Sequence, residues 1–240
     1  MNVSAPDANI HLTYCLNIHP GETWDENFRA IDRYARVVAE RCAGGQPFGL
    51  GLRLSRQAAE ELSESSTLRH FDHYLKKHGL YVFTINGFPY GTFHGKALKS
   101  SVYTPDWRTV ERREYTALLG RILAQLLPSG VNGSISTVPG AYGPDIESED
   151  AFDEVISGLA LAAHDIYRIS LSSKRHIALA LEPEPDCLWE TTDDMCRLFT
   201  DILPHRGVEL LGETAGCSEA EAHTALAHHL GVCVDTCHLA

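Results

Sequence analysis

No stretch of this sequence approaches the roughly 18 consecutive apolar residues needed to cross a bilayer, and Met1 to Asn9 lacks the apolar core of a secretion signal. There is no CxxC pair, and the seven cysteines are an odd number. A disulfide framework is therefore not expected, and a reduced, cytoplasmic setting is. Neither GxGxxG nor the phosphate-cradling P-loop pattern occurs, which removes the common reasons to expect a nucleotide at a doubly wound sheet. Basic residues are scarce: 20 Lys and Arg stand against 32 Asp and Glu, a formal net charge of -12. Such a surface repels nucleic acid and anionic membranes, although a local basic groove is compatible with it.

What is present is an alternation of strands and helices. With 44% hydrophobic and 22% charged residues over 240 positions, the chain has the makeup of one large α/β domain or two small ones. Residues 11–19 (HLTYCLNIH) have a strand period, with Leu12, Tyr14, Leu16 and Ile18 on the face expected to pack under helices. A helix from about Trp24 to Arg41 follows, closed by Ala43-Gly44-Gly45. Residues 48–55 (FGLGLRLS) place four large apolar residues opposite Gly49, Gly51, Arg53 and Ser55; glycines on an inner face leave room for neighbours in a small barrel. A helical region, 56–78, is interrupted near Ser65-Ser66. In the third strand, 80–88, Tyr81, Phe83 and Ile85 oppose Val82, Thr84 and Asn86, and an aromatic, glycine-rich loop with His94 follows. Further helices are expected over 112–127 and 150–170, with a short strand over 133–138 between them. The fifth strand runs from Ile177 to Glu184. Capping patterns at Thr191 and Ser218 open two more helices, with Pro204 to Gly216 between them read as loop or insertion. His223, His228 and His229 fall in the second of these helices and read as solvated. The last strand begins near Gly231.

Small or polar residues on one strand face and large aliphatics on the other suit a parallel barrel better than a doubly wound sheet, whose strands are apolar on both faces. The chemically capable residues all fall at strand C-termini: Asn17 and His19, Arg53, Asn86 with His94, Glu182 with Glu184, and Asp235 with His238. That is the catalytic face of a TIM barrel. Strands ending in carboxylates and an imidazole can place ligands around one divalent cation; the plainer role for Glu182, Asp235 and His238 is loop capping on the rim. For Arg53 an internal ion pair with a carboxylate at the rim and bidentate binding of an anionic substrate group are equally compatible with the sequence. His94 is a ligand, a substrate contact or a loop-packing residue.

Leu181-Glu182-Pro183-Glu184-Pro185 resembles the fifth-strand motif of xylose isomerases, and Val232 to His238 (VCVDTCH) resembles the sixth-strand motif shared by ketose 3-epimerases and endonuclease IV. Over nearly the whole chain the sequence resembles the EboE metabolite-traffic family of the ebo gene cluster. The residues that carry this are Leu12-Thr13-Tyr14-Cys15 with Asn17 to Trp24 (NIHPGETW), Asn86 to Gly91 (NGFPYG) with Phe93-His94-Gly95, Gly133 to Pro139 (GSISTVP), and Leu181 to Pro185. The fold this implies is a xylose isomerase-like TIM (β/α)8 barrel. The resemblance also implies metal ligation by Glu182 and Asp235, with His238 a substrate contact or second-metal ligand. The cofactor would be a divalent ion, one of Mn, Mg, Co or Zn.

Two departures qualify the resemblance. Where xylose isomerases carry a sugar-contacting Lys after the motif's Glu, this chain has Glu184, which disfavours an oxyanion and favours a hydroxyl-rich or cationic ligand. The usual His and Glu ligands of the seventh and eighth strands have no counterpart before Ala240. The sequence therefore reads as a single partial barrel, residues 1–240, belonging to a longer protein, poorly soluble when made alone. A partner chain supplying the missing units is the alternative.

The function expected is a divalent-metal isomerase or epimerase acting on a small polyol or sugar-like metabolite. Glu182 or Glu184 would move the proton, and Asn17, His19, Arg53, Asn86 and His94 would orient the substrate. A non-catalytic escort for the same class of metabolite is the alternative, and an endonuclease IV-like phosphodiesterase fits the acidic surface poorly. The expected partners are a small-molecule metabolite and other ebo-cluster proteins, with no nucleic acid and no membrane insertion.

Overall fold

The structure, a computed structural model, describes residues 1–3, 10–88 and 103–237. Strands β1 (Thr13–Cys15), β2 (Phe48–Arg53), β3 (Leu80–Asn86), β4 (Gly133–Thr137), β5 (Ile177–Leu181) and β6 (Leu230–Val232) form one sheet, ordered β1-β2-β3-β4-β5-β6. Every neighbouring pair is parallel. A doubly wound sheet reverses its strand order at a switch point. This one never does, and its order is that of a TIM-barrel wall. The sheet is also rolled. The Cys15 thiol on β1 feels the charge of Glu182, although a flat sheet would hold their strands ~19 Å apart.

The roll follows from what each face carries. Leu50, Leu52 and Leu54, Val82 and Ile85, Ile135, and Ile177, Leu179 and Leu181 all lie buried beneath the helices. Burial of each stabilises the fold by about 1.5–3 kcal/mol. The opposite face is nearly all small. Register runs Cys15–Gly51–Thr84–Ser134–Ala178 in one row and Arg53–Asn86–Ser136–Ala180–Gly231 in the row nearer the strands' C-terminal ends. Gly51 leaves no room for more: a Cβ there would stand 3.1 Å from Cys15 Sγ and 3.3 Å from a Thr84 methyl.

Helices α1 (Trp24–Ala30) and α2 (Arg36–Cys42) follow β1, α3 (Arg56–Ser63) and α4 (Ser65–Lys77) follow β2, α5 (Val110–Leu126) follows β3, and α6 (Glu149–Ser173) follows β4. After β5 come α7 (Thr192–Arg197), α8 (Val208–Ala215) and α9 (Glu219–His229). Thr23 with Glu26, and Thr191 with Asp194, form reciprocal capping boxes, while Ser55, Thr109, Ser148 and Ser218 each cap a helix with one side-chain oxygen.

Five local expectations are corrected. The first strand spans only Thr13–Cys15 and turns into a 3-10 helix at Leu16–Ile18; Leu12 and Ile18 are 52% and 58% exposed, because β1 is a sheet edge among the described residues. On β3 the register against β2 slips between Leu50 and Gly51, so Leu50 pairs with Val82 but Gly51 with Thr84. Phe83 is the extra residue, and it shifts the alternation: Leu80, Val82 and Ile85 are buried together. The segment read as loop after Leu203 is helical. A π-helical stretch, Leu198–Gly207, runs straight into α8 with Pro204 inside it. Proline clashes with the carbonyl four residues back in an α-helix, and the wider i→i+5 winding moves that carbonyl aside. The last strand ends at Val232, leaving Asp235 beyond it. His229, finally, is buried at 5% exposure and bonds Ile177 O through Nδ1 at 2.6 Å, whereas His223 and His228 are exposed as expected.

Candidate active site at the C-terminal edge of the sheet

In a parallel sheet all strand C-termini point one way, so Arg53, Asn86, Glu182 and Asp235 share one mouth. Glu182 leaves β5 directly; its backbone N–H donates to Thr137 O at 2.9 Å. Cys233 leaves β6 beside it, donating its N–H to Leu181 O at 2.7 Å. Burial first, then the charges of Glu182 and Asp235, push the Cys233 thiol up to about 12. Two carboxylates from neighbouring strand ends thus bear on one thiol. Asp235 Oδ1 also accepts the Cys237 N–H at 2.7 Å, which turns the chain after the strand. A cavity of about 490 Å³ beside β6 is lined by Pro183, Met195, Phe199, Val232, Cys233 and Asp235.

Glu184 sits differently. Its backbone N–H points to Cys187 Sγ at 3.2 Å, and Tyr103, whose hydroxyl donates to Pro185 O at 2.7 Å, lies against its carboxylate. Burial first and the Glu184 charge second hold the Tyr103 phenol above its ordinary range.

The remaining expected substrate contacts divide. Asn86 is on the inner face and donates to Ser136 Oγ at 3.3 Å, while its Oδ1 is buried with no partner among the described residues. Below it Thr84 and Ser134 hydroxyls meet at 2.8 Å. Arg53 takes the ion-pair role: Nη1 donates to Gly21 O at 2.6 Å and Glu22 Oε1 at 3.0 Å, tying β2 to the loop after β1. His19 bonds Tyr14 OH through Nε2 at 2.8 Å and stacks on Tyr34, ring centroids 4.4 Å apart and planes within 9°. Asn17 is exposed on the 3-10 turn. His94 and His238 lie outside the described residues.

The thiols of Cys15 and Cys233 and the hydroxyls of Ser134 and Ser136 were not among the expected site residues. The alternation in LTYC, GSIST and VCV carries the signal for them. Also unforeseen is Arg112, fully buried in the first turn of α5, which donates to Gly87 O at 2.9 Å and Pro105 O at 2.7 Å and so fixes the end of β3.

The donor set suits a hard cation in part. Glu182, Asp235 and the carboxamide oxygen of Asn86 are the oxygen types such an ion takes. Among the described residues, no three His, Cys, Asp or Glu side chains stand close enough to hold one ion together.

No family model matches the chain, and no curated protein matches it. Among solved structures, the crystal structure of the probable 3-DHS dehydratase AsbF, involved in petrobactin synthesis, from Bacillus anthracis, is similar. The likeness has a TM-score of 0.46 at 14% identity, over 92% of this chain and 71% of that one. At that level it transfers neither an activity nor a residue role. The barrel-type strand order rests on the chain's own topology.

Proposed function

We propose that the mouth of the sheet binds a small, hydroxyl-rich metabolite together with a divalent cation, and that a carboxylate there moves a proton on it. The observation that carries this reading is the placing of Glu182 and Asp235 just past the ends of two paired, adjacent strands, β5 and β6. In it Glu182 and Asp235 hold the ion, and His238, by the sequence motif, completes the set. When bound, such an ion draws electron density from a substrate carbonyl. The protein's own residues do the rest. Glu184, with Tyr103 against it, takes the proton from the carbon next to the carbonyl and returns it, on the same face, to the neighbouring carbon. Asn86 offers its unpartnered Oδ1 to a substrate hydroxyl. The small inner rows leave room for the ligand, and the carboxylates at the rim disfavour anionic ones.

The finer assignment, an EboE-type metabolite-traffic protein that escorts its ligand unchanged, is the second reading. What favours it is that His19 and Arg53 are engaged with Tyr14, Tyr34, Gly21 and Glu22, which leaves fewer groups to orient a reacting substrate.

The test has two steps. Manganese binding, followed by calorimetry, should be lost in Glu182→Gln and Asp235→Asn. Deuterium uptake from heavy water into a panel of aldoses, ketoses and α-hydroxy ketones should then appear with the loaded wild type and vanish in Glu184→Gln. Manganese binding without any deuterium uptake would support the escort. Manganese binding unchanged in both variants would remove Glu182 and Asp235 as its ligands, and no binding by the wild type would remove the metal reading altogether.

A further inference from the structure

We propose that the outer face formed by α5 and α6 is a self-complementary surface on which a second copy of this chain docks about a two-fold axis. Two grooves meet on this face, of about 630 Å³ and about 450 Å³, and Val110 and Arg113 line both. Arg113 forms a two-pronged pair with Asp165, at 2.6 and 3.1 Å, where the grooves join. Setting that pair aside, the larger groove carries Arg56, Arg121 and Arg168 against Glu114 alone. The smaller carries Asp150, Asp153 and Glu154 against Arg108 alone. On a chain with a net charge of -12, a strip of three arginines beside three carboxylates is a separation of sign, not an average surface.

The charges are also unevenly used. Asp153 is taken by Arg206, Arg108 by Asp106, and Arg56 by Glu60. Arg121 has no ion pair among the described residues, and Arg168 reaches Glu221 only at 3.8 Å, an oxygen that His164 already holds at 2.9 Å. Asp150 and Glu154 are exposed. The uncommitted arginines thus lie at one end of the face and the uncommitted carboxylates at the other, Asp150 and Arg168 being about 27 Å apart along α6.

That arrangement selects the occupant. A face acidic at one end and basic at the other matches itself when turned by 180°: the arginines of each copy meet the carboxylates of its partner, twice. Closed two-fold pairing is the commonest form of self-association, and charge of this pattern fixes its register. Near the axis lies Val110, 65% exposed, an apolar side chain that pairing would cover.

The experiment is a charge swap read by sedimentation velocity at low salt on the 240-residue chain, with circular dichroism to show that each variant keeps its helices. The wild type should dimerise. Arg121→Glu with Arg168→Glu, and separately Asp150→Lys with Glu154→Lys, should each weaken the dimer about tenfold or more. An equimolar mixture of the two should restore it, because each reversed end then meets its complement. A monomeric wild type, a dimer untouched by both swaps, or a mixture that fails to recover would each overturn the proposal.

Discussion

Asn86 at the end of β3 donates to Ser136 on β4 across 3.3 Å, and its carbonyl oxygen is buried without a partner among the described residues. A buried acceptor left unmet costs about 1–3 kcal/mol, and one long hydrogen bond contributes about 1 kcal/mol. Asn86→Ala should therefore leave stability within about 1 kcal/mol of wild type, measured by chemical denaturation. A loss well above that would show that the oxygen has a structural partner and is not waiting for a ligand.

Cys233 offers a probe of the proposed ion site that needs no substrate. Its thiol, pushed up to about 12 by burial and by Glu182, should alkylate far more slowly with iodoacetamide than the exposed Cys42 at mildly alkaline pH. Removing the negative charge lowers the thiol's pKa and raises the thiolate fraction. Glu182→Gln should therefore speed Cys233 modification several-fold, followed by peptide mass spectrometry, and leave Cys42 unchanged. Equal rates in both proteins would separate Glu182 from Cys233.

Arg112 lends itself to a stability test. Its guanidinium serves Gly87 O and Pro105 O in full burial and lies over the Trp107 ring at 5.6 Å. Arg112→Met keeps much of the volume but strands both carbonyls, at about 1–3 kcal/mol each. A loss of about 2–5 kcal/mol in urea unfolding is expected.

His229 sets a pH dependence. Burial chiefly lowers its pKa below the ordinary 6.5, with the nearby His176 and His228 adding to this. The unfolded chain then takes up the proton first as pH falls. Its share of stability is intact above 6.5 and drains away as pH drops from there toward the folded value. Urea midpoints should fall between about pH 7.5 and about pH 5.5, and His229→Gln should flatten that decline.

Two helical glycines make an opposed pair. A Cβ at Gly158 of α6 would overlap the Trp107 carbonyl oxygen, while at Gly212 of α8 the nearest atom is 3.9 Å away. Gly158→Ala should cost more than about 2 kcal/mol through forced backbone movement. Gly212→Ala should gain up to about 1 kcal/mol of helix propensity. Thermal melts of the two variants should move in opposite directions.

Much of this architecture is legible in the sequence because the period-two contrast between Leu50, Leu52, Leu54 and Gly49, Gly51, Arg53 survives intact in a straight strand. It fails on β3, where one extra residue, Phe83, inverts the phase and no composition cue marks it. Pro204 misleads for a related reason: the rule that proline ends helices assumes α winding, and the local winding is wider. His229 looks like its exposed neighbour His228, since only the tertiary contact with Ile177 tells them apart. At the site, the strand-end acids announce themselves by type and place. The partners that occupy Arg53 and His19 come from residues distant in the sequence or in the adjoining turn, and no spacing encodes them.

The inner rows of the sheet have an evolutionary corollary. Because Ala178, Ala180, Ser134 and Ser136 face inward while Leu179, Leu181 and Ile135 secure the helical shell, the inner surface and the packing of the helices are written in alternate letters of the same strands. Single exchanges among the former can change the size and polarity of the inner surface with the apolar scaffold untouched, so selection can alter that surface without renegotiating how the protein stands up.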